Sequence, residues 1–426
     1  MGTRAKPFYG WWVLLSASTV LMTAFSMSAY ALPVFYPELV RVFGWPRASV
    51  ALGGSFKTLL IGLVAPLNGW IIDRKGVRTI LLAGLVTVGT AYALLSGIHS
   101  LWAYFLICFL LGTGGSWIHH LPNQLLVASW FAKKRGMAIG IMQMLGGIGD
   151  SLIPLLTAFL IKNFGWREAL IGLPVILIAP LLAVMFVVRN KPQDMGLYPD
   201  GLPGPSSEPA AATPQAPSRQ AHSKTHLTSA DAGWDTAMFK TTRFWMISLL
   251  FLLIGWSTFS VWQHFVLFLR DQGFSPGVAA SMFSLFLASS TVSRFICGPL
   301  SDKTSADFAM LLNLVCIALS LMVLVATRNH AAIYLAMVVF GLGYGGGITC
   351  RPLLVFAHFG DTGVGKLYGV TTALFTTGAF FGPAVAGRIF DKTGNYHLSF
   401  ILALILAGVS IVILILLGHS KSNQAS

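Results

Sequence analysis

Gly69-Trp70-Ile71-Ile72-Asp73-Arg74-Lys75-Gly76-Val77-Arg78 ends one apolar stretch of the chain and begins the next. At an offset of 229 residues, Gly298-x3-Asp302-Lys303 ends another stretch in the same way. The same offset carries Gly44 to Gly273 and Gly140 to Gly369. Context travels with it: Phe43-Gly44-Trp45-Pro46 and Gly273-Phe274-Ser275-Pro276 each precede the apolar stretch that the repeated motif closes. A single offset that also preserves position within the stretches makes the chain two copies of one unit. In each copy a carboxylate stands at a helix end beside basic residues. Such a group can hold one arrangement of neighbouring helices and release another. Gly69, Asp73, Arg74, Gly298 and Asp302 are therefore the candidate gating residues.

Outward from this motif, charge, Gly and Pro divide the 426 residues into twelve apolar blocks. They cover 11–36, 48–71, 79–97, 101–127, 137–161, 169–188, 244–269, 276–300, 308–327, 331–356, 367–389 and 397–418. At about 1.5 Å per residue each can cross a hydrocarbon layer of about 30 Å. Charged residues make up only 10% of the chain, so a soluble core is excluded: most of its helices would lack a polar face. The block from Trp11 to about Tyr36 is far longer than a signal-peptide core and reads as a retained first span. Between Pro199 and Pro217 lie six prolines with Gly, Ala and Ser, material that cannot pack a core. The expected organisation is a bundle over 1–189, a linker over 190–241 and a bundle over 242–426.

The net charge of +14 points to topology, because Lys and Arg sit in the short connections and form no aromatic-interleaved stripe for nucleic acid. With the N-terminus inside, 17 fall on the cytoplasmic side, eight on the other and three within spans. That bias predicts a multi-pass protein of the inner (plasma) membrane with both termini cytoplasmic. Two parallel six-helix units place a solute site between the halves near the midplane. The runs Gly112-Thr113-Gly114-Gly115-Ser116 and Gly341-x-Gly343-x-Gly345-Gly346-Gly347 suit close helix contact, static or sliding.

Ionisable groups inside spans mark the chemistry, since the bilayer makes them costly. Of the fourteen acidic residues only Asp150 lies well inside a span. Arg294 precedes Asp302 by eight residues, roughly 12 Å above the end of its span. Three partners are open to it: a bound organic anion, Asp150 from the other half, or a structural contact. Lys57 either serves as a second cation or snorkels outward, and Arg351 is expected to reach water more easily than Arg294. His119 and His120 adjoin Asn123 and Gln124 deep in the fourth block. Adjacent helical positions point about 100° apart, so one histidine faces the cavity, to bind a carboxylate or take a proton, unless both merely pack. His264 and Tyr30 are weaker candidates for the same lining. Cys108, Cys297, Cys316 and Cys350 follow no metal or redox spacing. No Gly-x4-Gly-Lys-Ser/Thr loop is present, so a gradient rather than nucleotide would supply the work. Nothing resembles a catalytic cluster or a cofactor site.

The Gly69-x3-Asp73-Arg74-Lys75-Gly76-x-Arg78 loop resembles the signature of the major facilitator superfamily between spans two and three. Tyr9-Gly10-Trp11-Trp12, Val34-Phe35-Tyr36-Pro37-Glu38-Leu39, Trp130-Phe131-Ala132-Lys133-Lys134-Arg135-Gly136 and Arg294-x3-Gly298-x3-Asp302 are similar to the monocarboxylate transporter family and its bacterial relatives, near the oxalate/formate antiporter branch. The resemblance implies an all-α membrane fold of twelve helices in two pseudo-symmetric bundles. It also implies that Arg294 binds the substrate carboxylate. The implied activity is secondary transport of small monocarboxylates with a proton, or exchange of small organic anions, by a monomer without a cofactor. Three departures stand out. The animal members' span-one lysine falls at Tyr30. Ser290 occupies the place of the animal members' span-eight aspartate, and Leu374 follows the Tyr368-Gly369-Val370-Thr371-Thr372-Ala373 stretch where the oxalate branch has a cation. The proton site is left among His119, His120, Asp150 and the substrate itself.

Overall fold

The computed structural model describes residues 8–132, 134–201, 240–359 and 364–425. They contain twelve helices long and apolar enough to span a bilayer. The N-terminal six are α1 Gly10–Phe43, α2 Arg47–Lys75, α3 Val77–Leu95, α4 Leu101–Trp130, α5 Arg135–Phe164 and α6 Trp166–Phe186. The remainder are α7 Thr242–Trp262, α8 Pro276–Lys303, α9 Ala306–Ala326, α10 His330–Phe359, α11 Val364–Thr393 and α12 His397–Ala425. A short helix, Phe265–Asp271, continues α7. Odd-numbered helices run from the face bearing the termini to the opposite face, and even-numbered ones return. Several helices outrun their apolar blocks, because internal hydrogen bonding continues where hydropathy stops. α10 reaches Phe359, eight residues beyond Arg351.

The repeat is visible in helix packing. Gly112 of α4 lies against Leu60 and the Lys57 carbonyl of α2, and Gly341 of α10 lies against Ser289 and the Phe286 carbonyl of α8. Gly149 of α5 meets the Met22 backbone of α1, and Gly378 of α11 meets the Leu252 backbone of α7. Within a residue, each contact maps onto its partner at the offset of 229. No side chain fits at these approaches, which is the small-residue packing a bilayer demands in place of a hydrophobic drive. The halves meet where α2 packs on α11 and α5 on α8.

α1 is not a uniform α-helix: Val20–Phe25 and Met27–Ala31 form wide π turns. Pro33 follows them and carries no N–H, so the carbonyls one turn back lack a donor. The Lys57 ammonium supplies it, donating to the carbonyls of Ser28 and Ala29, while the Tyr92 hydroxyl donates to that of Met27 at 2.8 Å. Lys57 is thus neither a cavity cation nor an outward snorkel but a buried brace. The start of the proline-rich segment also has structure. Asn190 accepts the Arg78 N–H at 3.0 Å and Asp200 accepts that of Ala132 at 3.0 Å, fixing residues 190–201 to the N-terminal half. The rest of the expected linker, 202–239, lies outside the described residues.

Candidate functional site

Asp150, midway along α5, and Arg294, in α8, form an ion pair across the halves, Nη1 to Oδ2, at 3.4 Å. Asp150 is 1% exposed and accepts a 2.7 Å hydrogen bond from the Ser26 hydroxyl in the wide-turn region of α1. Ser26 therefore holds the carboxylate from its own half while Arg294 approaches from the other. The arginine remains incompletely satisfied: its side chain is 18% exposed and its buried Nε has no hydrogen-bond partner. Tyr30 and Tyr344 border the guanidinium. Of the partners open to Arg294 from sequence, Asp150 of the other half lies in contact with it.

His119 and His120 stand where α4 breaks. Ile118 leaves helical geometry and His119 is extended, at ψ 175°. Asn123 donates to the freed carbonyls of Ile118 and His119 at 3.0 and 2.9 Å. The expected helical spacing of the pair therefore fails at this point. Both rings lie against Phe25, at 5.1 and 4.4 Å between centroids. A break in backbone at this depth is tolerated only inside protein or along a cavity.

Outward from the pair, three tiers join the halves. Tyr30 meets Trp262 at 5.8 Å between centroids. Tyr36 donates to Gln263 at 3.0 Å. Near the face opposite the termini, the two terminal nitrogens of Arg47 bond Asp271 at 2.5 and 2.7 Å. Pro46 precedes α2 and has no side chain to cap it, so Asp391 of α11 accepts the N–H groups of Arg47 and Ala48 at 2.9 and 3.0 Å. Arg47 also lies 3.7 Å over the Phe390 ring and donates to Tyr396. Burial raises the Tyr396 phenol above its ordinary range, keeping it an O–H donor to His264 Nδ1 at 3.0 Å. His264 Nε2 then donates to the Pro383 carbonyl at 2.8 Å. His264 accordingly belongs to this closed outer tier and not to the lining around Arg294. Sequence reasoning missed Ser26, Trp262 and the Arg47 tier; only the proline-led start of α2 signalled that a cap had to come from elsewhere.

The gating candidates are partly placed. Gly69 and Arg74 lie near the end of α2 and Gly298 and Asp302 near that of α8. Arg74 stacks over Trp70 of its own helix at 4.3 Å, and the Asp73 side chain lies outside the described residues. Arg351 lies 3.7 Å over the Phe375 ring. It stands eight residues from the end of α10 and Arg294 nine from that of α8, so the two leave their helices at similar depth.

The Major Facilitator Superfamily family model matches residues 15–383 and 270–425. Relatives include monocarboxylate transporter 13 of Bos taurus, 25% identical over 97% of this chain and 91% of that protein. Monocarboxylate transporter 3 of Rattus norvegicus is 24% identical over 95% and 79%. Among solved structures, a bacterial homolog of the human lysosomal transporter Spinster, inward-facing and unoccupied, superposes with a TM-score of 0.74 at 16% identity, covering 97% of this chain and 98% of that one. The nucleoside transporter NupG gives 0.72 at 14% over 96% and 99%. With twelve helices in two repeated bundles, a charge pair between them and a match along nearly its whole length, the chain belongs to the major facilitator superfamily.

Proposed function

We propose that this protein carries small monocarboxylate anions of the lactate or pyruvate kind across a membrane by alternating access, together with a proton. The observation that carries this reading is the Arg294–Asp150 pair, contributed by opposite halves and left incomplete at Arg294. A substrate carboxylate competes with Asp150 for the guanidinium, which offers planar, paired donors. Asp150, losing its counter-charge in a low-dielectric core, takes up a proton, so anion and proton load together. His119 and His120 form no ion pair among the described residues, whereas Asp150 is held opposite Arg294. The monocarboxylate transporters among the relatives support the substrate class.

The closed outer tiers support a cavity facing the termini, which the charge bias makes cytoplasmic in the plasma membrane. The Asp73 and Asp302 helix ends would close that side in the other half of the cycle. Two bundles flanking the linker at 190–241, acting as one monomer, suffice for this scheme. A second reading is exchange of small organic anions. It is favoured by Arg351, a second cation at similar depth with no acidic partner among the described residues.

Proteoliposome uptake separates the two. Symport accumulates labelled monocarboxylate in empty vesicles under an inward proton gradient, whereas exchange requires internal counter-substrate. Arg294→Ala and Arg294→Lys are expected to lower uptake roughly a hundredfold or more, the loss of a buried charged hydrogen-bond pair. Unchanged uptake of every anion in both variants would remove Arg294 from the binding site.

A further inference from the structure

α8 and α10 run in the same direction and touch along successive turns. Gly341 lies against the Phe286 carbonyl, Gly345 against the Ser290 backbone, and the Thr349 hydroxyl donates to the Arg294 carbonyl at 3.4 Å. Each contact carries the same offset of 55 residues, so the two backbones stay in register down to the turn that bears Arg294. Just beyond it, Cys297 of α8 and Cys350 of α10 are neighbours. Gly346 lies against the Cys297 sulfur and has no room for a side chain, which lets α10 come this close. Asn313 of α9 spans the two thiols: its Oδ1 accepts from Cys297 at 3.4 Å, and its Nδ2 donates to the Cys350 sulfur at 3.4 Å. Both cysteines are buried, and neither takes part in the carrier scheme above. No sequence spacing pairs them; the register of the two helices does.

We propose that Cys297 and Cys350 form a site of reversible oxidative modification, where a hydroperoxide joins them in a disulfide that tethers α8 to α10 beside Arg294. The peroxide oxidises one thiol to a sulfenic acid and leaves as an alcohol or, from hydrogen peroxide, as water. The second thiol then attacks the sulfenic sulfur. The S–S bond forms, the S–O bond breaks and water is released, so the two electrons lost by the thiols end in the cleaved O–O bond. Disulfides need Cα atoms within about 7 Å, and helices packed through glycine come that close. In a reducing compartment the free thiols are the resting form, so the tether appears as peroxide rises. Covalent joining draws the sulfurs closer than thiols in contact, which turns α8 against α10 next to Arg294. The resulting loss of transport rests on Arg294 holding the substrate carboxylate; the cross-link itself does not.

In the test, the full-length protein in proteoliposomes is treated with hydrogen peroxide or tert-butyl hydroperoxide, alkylated, and digested without reductant for mass spectrometry. The expected product is a linked Cys297–Cys350 peptide, with a several-fold fall in labelled lactate uptake and reversal of both by dithiothreitol. Cys297→Ser and Cys350→Ser should each abolish the linked peptide and keep uptake resistant to peroxide. Cys108→Ser and Cys316→Ser should behave as wild type. Cys297→Ala and Cys350→Ala replace the serine variants should those fail to insert. Absence of the linked peptide overturns the proposal, as does peroxide inhibition that persists in both variants. Failure of the carboxylate assignment has a different signature: the linked peptide still forms, but Arg294→Ala leaves uptake unaltered.

Discussion

Lys57 occupies a place where most membrane helices would carry an apolar side chain, and its two carbonyl partners explain why. Pro33 cannot close its own turn, and the wide turns of α1 leave the Ser28 and Ala29 carbonyls facing α2. Lys57→Met is expected to destabilise by about 1–3 kcal/mol, the cost of leaving a buried acceptor unmet. Restoring a backbone N–H with Pro33→Ala in the same chain should recover part of that loss. Thermal unfolding in detergent, measured as a double-mutant cycle, checks both. Sequence placed Lys57 in a span but could not assign this role, because π turns leave no periodic trace. Arg294 was different. A lone arginine near mid-span, with a lone aspartate in the other half, left few partners open, and one of them is in place.

At the scale of elements, the glycine runs separate into positions that are filled and positions that are free. A Cβ on Gly345 would run into the Ser290 backbone of α8, whereas one on Gly347 meets open space. Gly345→Ala must push α10 from α8 one turn before Arg294, at a cost of about 1–3 kcal/mol from overpacking. It is expected to lower both thermal stability and apparent substrate affinity. Gly347→Ala should leave stability equal or slightly raised, since alanine is the better helix former. Melting curves and uptake titrations of the two variants together provide the check. The twelve helices and their pairing into two units were legible because hydropathy and the 229-residue offset are properties of the chain alone. Helix ends were less so: α10 outruns its apolar block and runs on to Phe359. The helical spacing of the histidine pair fails for a related reason, since a break at Ile118 and His119 cannot be read from spacing that assumes a continuous helix.

For the molecule as a whole, closure of one face depends on groups far apart in sequence. Arg47 and the start of α2 are held by Asp271 and Asp391, both from the other half. Arg47→Ala leaves Asp271 without its partner and should open this face more often. With Gln263→Cys as a reporter in both backgrounds, an impermeant thiol reagent added from that face should label roughly tenfold faster, equivalent to about 1.4 kcal/mol in the opening equilibrium. Equal labelling rates would mean that the inner aromatic tier alone sets closure. The charge pair at the centre has a further consequence, which concerns voltage. Moving one elementary charge through a membrane potential involves about 2.3 kcal/mol per 100 mV. Because Arg294 finds its counter-ion on the opposite bundle, this ion pair carries no net charge, and it can reorient without working against the potential or drawing on it.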